Sequence, residues 1–135
     1  MNNKLQKTQA NRRRQLINKL RQVTPDRFNL SCFRNHCQTT ACVVGHLPDF
    51  FSGHWAWTSN TSFDAPRLKN NGGHQSVVQE LSDFFGGTES GWDKVIYDTY
   101  YPYGQKNNLQ MVVKRLHAYH LSLLVADRTP LQLAS

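Results

Sequence analysis

All three cysteines and two of the six histidines fall in one run, Phe28-Asn-Leu-Ser-Cys-Phe-Arg-Asn-His-Cys-Gln-Thr-Thr-Ala-Cys-Val-Val-Gly-His46. Thiolates and imidazoles bind soft metals, and they act as nucleophiles and bases. Cys32, Cys37, Cys42 and His46 read C-x4-C-x4-C-x3-H. Four such ligands suit tetrahedral zinc, but structural zinc sites usually take two ligands from a C-x2-C turn, and this chain has none. Cys42 and His46, four residues apart, are weak metal candidates. Cys37 stands just before an expected helix N-terminus, where partial positive charge lowers a thiol pKa; His36, His46 or His54 is available as its base. A Cys37–Cys42 disulfide is a third reading. The fourth carries the most weight: Cys42, among Ala41, Val43 and Val44, is a small buried hydrophobe. No cofactor is expected on this reading, and zinc is the alternative.

The elements that would position these residues are helices. Residues 3–23 hold good helix formers without Gly or Pro, and Leu16, Ile17, Leu20 and Val23 share one face. Before Leu16 only Leu5 and Ala10 are apolar, so residues 1–15 are expected to project as a basic arm from a helical domain of residues 16–125. Thr24-Pro25 ends this helix and opens a short turn. Thr39 or Thr40 would cap a helix from Ala41 to Leu47, stopped by Pro48. His54 to Thr58 alternates and could pair with Ser62-Phe63-Asp64, a hairpin over residues 54–64.

Val77, Val78, Leu81, Phe84 and Phe85 line a helix that Gly86-Gly87 terminates. Thr88 starts the next, with Gly91 a weak point. The last helix is expected over 109–125, with Leu109, Val112, Val113, Leu116, His120, Leu123 and Leu124 on one face and a frayed tail over 126–135. The fold class is therefore mainly α, a single small domain of four to five helices with at most one short hairpin.

Charge is divided unevenly. Of the net +7, residues 1–34 hold nine basic side chains against Asp26 alone, while the remainder holds seven basic and eight acidic. A local positive field attracts polyanions or acidic protein surfaces. Arg12, Arg13 and Arg14 point about 100° apart, so they cannot share one surface. No apolar run approaches the roughly 18 residues needed to cross a bilayer, so no membrane partner is expected. The odd cysteine count excludes a fully paired framework within one chain, and the basic N-terminus lacks the apolar core of a secretory signal. The cytoplasm, the host's if the chain is phage-encoded, is the expected compartment.

Phe28-Asn29-Leu30 followed by Cys37-Gln38-Thr39-Thr40-Ala41-Cys42-Val43-Val44-Gly45-His46 resembles a pattern, F-[DN]-[ML] then C-G-T-x-A-C-x-x-G-[HW], shared by a group of small bacterial and phage proteins with no assigned activity. This chain has Gln38 where the pattern has Gly, and it adds Cys32. The resemblance implies a helical domain and a phage or mobile-element origin. It implies no catalytic residue.

No paired carboxylates, Gly-rich phosphate loop, Gly-x-Ser-x-Gly or His-Glu-x-x-His occurs. The expected function is non-enzymatic binding of nucleic acid or of a host protein with an acidic surface. The expected contacts are Lys4, Lys7, Arg12, Arg13, Arg14, Lys19 and Arg21 on the basic helix, with Trp55, Trp57, Tyr100, Tyr101 and Tyr103 in aromatic turns. An enzyme or zinc site built on the cysteines is the alternative.

Overall fold

A computed structural model describes residues 3–28, 42–57, 65–69, 76–97 and 109–134. It is mainly helical with one short antiparallel hairpin. Helix α1 spans Asn3–Leu20, α2 Leu47–Phe50, α3 Val77–Phe85, α4 Glu89–Ile96 and α5 Leu109–Ala134; strands β1 (Trp55–Ala56) and β2 (Arg67–Leu68) pair antiparallel, Trp55 opposite Leu68 and Ala56 opposite Arg67. The expected partner of the first strand, Ser62 to Asp64, lies outside the described residues; the pairing segment lies further along the chain. Among the described residues no helix is long and apolar enough to cross a membrane.

One hydrophobic cluster joins these elements. It takes Leu16, Ile17 and Leu20 from α1, Leu81, Phe84 and Phe85 from α3, Trp92, Val95 and Ile96 from α4, and Val112 and Leu116 from α5. Aromatic edges organise its centre: Phe51 meets Phe84 and Phe85 at 5.3 and 5.5 Å, and Trp92 meets Tyr119 at 5.4 Å, all near perpendicular. Such T-shaped contacts match ring edge to ring face and favour this arrangement over flat stacking.

Local chemistry sets the helix ends. Ser76 caps α3, its Oγ accepting from Gln79 N, and Thr88 caps α4 by accepting from Gly91 N. The 3-10 turn Pro25–Arg27 follows α1, with Pro at its first position as the sequence suggested. Pro48 acts differently from expectation. It lies in the first turn of α2, preceded by a 3-10 turn at Val44–His46. A first-turn residue has no intrahelical use for its N–H, so Pro is accommodated there rather than acting as a stop.

Both ends of the chain depart from the sequence reading. The described part of the basic segment, residues 3–15, does not project as an arm: Ala10 and Arg13 are buried, and Gln9 and Arg12 bond to α3. Helix α5 also runs on through Ala134, where fraying was expected.

A basic helix with two faces

The inner face of α1 is a clamp on the end of α3. The last four carbonyls of any helix have no intrahelical donor. In α3 all four are satisfied: Ser82 O accepts from Gly86 N at 2.8 Å, Asp83 O from Gln9 Nε2 at 3.1 Å, Phe84 O from Arg12 Nη1 at 3.1 Å and Phe85 O from Arg13 Nη1 at 2.6 Å. Two guanidinium groups thus meet the negative end of the helix dipole. Arg12 also lies over the Phe84 ring, 4.0 Å from its centroid. Lys19 repeats the device, its Nζ donating to Phe50 O, the last residue of α2, at 2.6 Å.

The approach is close because the turn after α3 has no side chains. Gly86 and Gly87 take φ of 82° and 92°, the left-handed half of the map, where a Cβ is strained. A Cβ on Gly86 would stand 2.9 Å from Arg13 Nη1, and one on Gly87 would overlap Tyr119 Oη. Tyr119 Oη accepts from Thr88 N at 2.9 Å, and Trp92 Nε1 donates to Gly86 O at 2.8 Å. Gly91, expected as a weak point, is instead the flat surface against which the Tyr119 ring lies; a Cβ there would come within 2.7 Å of Cε1 and closer still to Oη.

Arg13 is the most constrained charge in the chain. It is 1% exposed, and its Nε donates to Nδ1 of His120, itself 4% exposed, at 2.8 Å. Nδ1 must be unprotonated to accept, so neutral His120 carries its proton on Nε2. Burial first, then the positive charges of Arg13, Arg14 and His117, depress the His120 pKa to about 4. Burial likewise lowers the Arg13 pKa from its ordinary value; Asp127 opposes this and Arg14 reinforces it. Arg13 Nη2 is buried without a partner. The clamp therefore needs an unprotonated histidine, and that histidine is a weak base at neutral pH.

The outer face of α1 is different. Lys4, Lys7, Asn11, Arg14, Asn18 and Arg21 are all exposed, at intervals of three and four residues. At 100° per residue, carried one step further into the turn at Arg21 and Gln22 that follows α1, they fall with Gln15 and Gln22 in an arc of about 120° opposite Arg13, Leu16 and Leu20. No acidic residue occurs before Asp26. Arg14 Nη1 donates to Asn11 Oδ1 at 2.8 Å, and Arg14 is close enough to the α1–α5 seam to depress His120. Exposed Lys114 of α5 adds a further positive charge.

The expected contact residues thus separate. Lys4, Lys7, Arg14 and Arg21 form one open cationic stripe. Arg12, Arg13 and Lys19 hold helix ends together, because unsatisfied carbonyls at the ends of α2 and α3 face them. Trp55 is not a surface residue: it is 1% exposed with its ring edge-on to Phe84 at 5.8 Å, since the short hairpin lays it on α3. Trp57 is half-buried, and Tyr100, Tyr101 and Tyr103 lie outside the described residues.

Of the cysteine cluster, Cys32 and Cys37 lie outside the described residues and Cys42 is buried in the core. The His46 ring stacks between Phe28 and Phe50, and its Nε2 lies 3.1 Å from Arg27 O, so it donates there. Among the described residues no three His, Cys, Asp or Glu side chains converge as metal ligands.

The inward role of Arg13 had a sequence signal. Leu16, Ile17 and Leu20 lie three, four and seven residues after it, so the apolar face extended backwards passes through Arg13. His120 was already on the inner face of α5. Their contact spans 107 residues, which periodicity does not reveal. No protein-family model, curated protein or solved structure matches the chain.

Proposed function

We propose that this protein is a non-enzymatic nucleic-acid-binding protein, of phage or mobile-element origin, that engages the phosphate backbone through the outer face of α1. One observation carries the reading. Lys4, Lys7, Arg14 and Arg21 lie exposed in a single line on a helix with no acid, while the other basic residues of that helix are turned into the protein. Surface cations that serve only solubility are usually interspersed with acids. Here the acids lie elsewhere, and phosphates supply the missing counter-charge. Zinc- or thiol-dependent catalysis is the weaker reading, because His46 is engaged by Arg27 O and two rings and Cys42 is in the core.

The test is fluorescence anisotropy with a labelled mixed-sequence duplex at 50 mM KCl. The variant K4Q/K7Q/R14Q/R21Q is expected to lose at least 100-fold in affinity, while K94Q, exposed on α4, stays within twofold. Equal binding by the fourfold variant would remove the basis of the proposal.

A host protein that docks through an apolar contact is a second reading, favoured by Leu121 and Val125, which are 48% and 65% exposed one turn apart on α5. That partner would be lost in L121K/V125K and kept in the fourfold variant.

A further inference from the structure

Every residue on the open arc of α1 that is not a cation is an amide. Asn11, Gln15, Asn18 and Gln22 alternate with Lys7, Arg14 and Arg21, and all are exposed. Cations alone suffice to hold a phosphate backbone. Asn and Gln do something else: each offers one acceptor and a pair of donors in a plane, which matches the N6 and N7 edge of adenine, as Arg matches O6 and N7 of guanine. We infer that α1 enters the major groove of duplex DNA and reads base edges with Asn11, Gln15, Asn18 and Gln22. This rests on the nucleic-acid reading proposed above and names the form of nucleic acid and the residues that select it.

Three observations support the duplex. First, the open face is long. From Lys4 to Arg21 it rises about 26 Å at 1.5 Å per residue, and a helix about 10–12 Å across fits a groove about 12 Å wide. Second, α1 has no aromatic side chain. Proteins that hold single strands depend on rings on which bases stack. A-form RNA is disfavoured because its major groove is too deep and narrow for a helix. Third, the Asn11 amide is already oriented: Arg14 Nη1 donates to its Oδ1 at 2.8 Å, which fixes which side of the amide carries the donors. One lone pair of Oδ1 stays available to accept from adenine N6.

The remaining cations are placed for the flanking strands. Lys4 and Arg21 lie at the two ends of the arc. The inner clamp keeps α1 rigid: Gln9, Arg12 and Arg13 fix it to the end of α3, so groove entry needs no rearrangement of the helix.

The experiment is enrichment of ligands by the 135-residue chain from a randomised duplex library at 150 mM KCl, followed by affinity measurements on the enriched and a scrambled duplex. Wild type is expected to enrich a motif of at least three base pairs, each mismatch costing about five- to hundred-fold. The variant N11A/Q15A/N18A/Q22A, in which a better helix former replaces each exposed amide, is expected to bind the enriched and scrambled duplexes equally. Its affinity for the scrambled duplex should stay within about threefold of wild type, and its circular dichroism should be unchanged. No enriched motif, equal discrimination by this variant, or tighter binding to single strands or duplex RNA would each overturn the inference while leaving backbone binding intact. Absence of salt-sensitive binding to any nucleic acid would overturn both readings together.

Discussion

Neighbouring arginines on α1 should behave as different kinds of residue. Arg13→Met keeps the length of the side chain and removes the guanidinium. Two hydrogen bonds from a charged donor are lost, to His120 Nδ1 and to Phe85 O. Each is worth about 1.5–3 kcal/mol, and both acceptors are left in the interior. Against this, the variant no longer buries a charge, and the unpartnered Nη2 disappears. That relief is about 1–3 kcal/mol, so the net loss falls within about 0–5 kcal/mol, centred on roughly 2.5 kcal/mol. For a chain of this size the central value lowers the melting temperature by roughly 8–12 °C. Arg14→Ala removes an exposed side chain and should change stability by no more than about 0.5 kcal/mol. Urea unfolding followed by tryptophan fluorescence measures both, since Trp92 donates to Gly86 O beside the clamp. If the two variants lose the same stability, the division of α1 into a clamping face and an open face is wrong.

Other consequences follow from the same contacts. His120 has a folded pKa near 4 against about 6.5 unfolded, so the unfolded state takes up a proton first as the medium is acidified. Stability from this group is therefore complete above pH 6.5 and is lost as pH falls towards 4, by roughly 3 kcal/mol in all. A urea-midpoint series from pH 7 to pH 5 should show that decline, and His120→Leu should flatten it. Gly91→Ala gains about 1 kcal/mol of helix propensity but drives a Cβ into Tyr119, so it should destabilise by about 1–3 kcal/mol. In a Tyr119→Ala background the same change should become neutral or stabilising, a coupling that a double-mutant cycle reads directly.

The sequence carried the elements well and their mutual contacts poorly. Gly86-Gly87-Thr88 separates α3 from α4, and the buried faces of α3, α4 and the first half of α5 follow the apolar spacing. The run Arg12-Arg13-Arg14 also told its own story, because three consecutive positions cannot face one way. What it did not reveal was the destination of each. Arg12 and Arg13 donate to carbonyls 72 positions along the chain, and backbone carbonyls leave no mark on residue type. For the same reason Lys19 resembled a surface charge until Phe50 O was found beneath it. Pro48 was misread because a stop and a first-turn proline look alike without the geometry of the preceding turn. Trp55 was assigned to a contact surface because it fell in an expected aromatic turn, whereas its burial comes from a two-residue strand laid on α3.

On the proposed function, the cationic stripe should show itself in the salt dependence of duplex binding. Four phosphates neutralised by Lys4, Lys7, Arg14 and Arg21 contribute about −3.6 to the slope of log K against log salt, so affinity falls by roughly 150-fold between 50 and 200 mM KCl from these residues alone. The fourfold glutamine variant should flatten the slope by that amount, and Arg14→Gln alone by about 0.9. A slope that is the same for wild type and the fourfold variant would contradict the assignment of this face to phosphate binding.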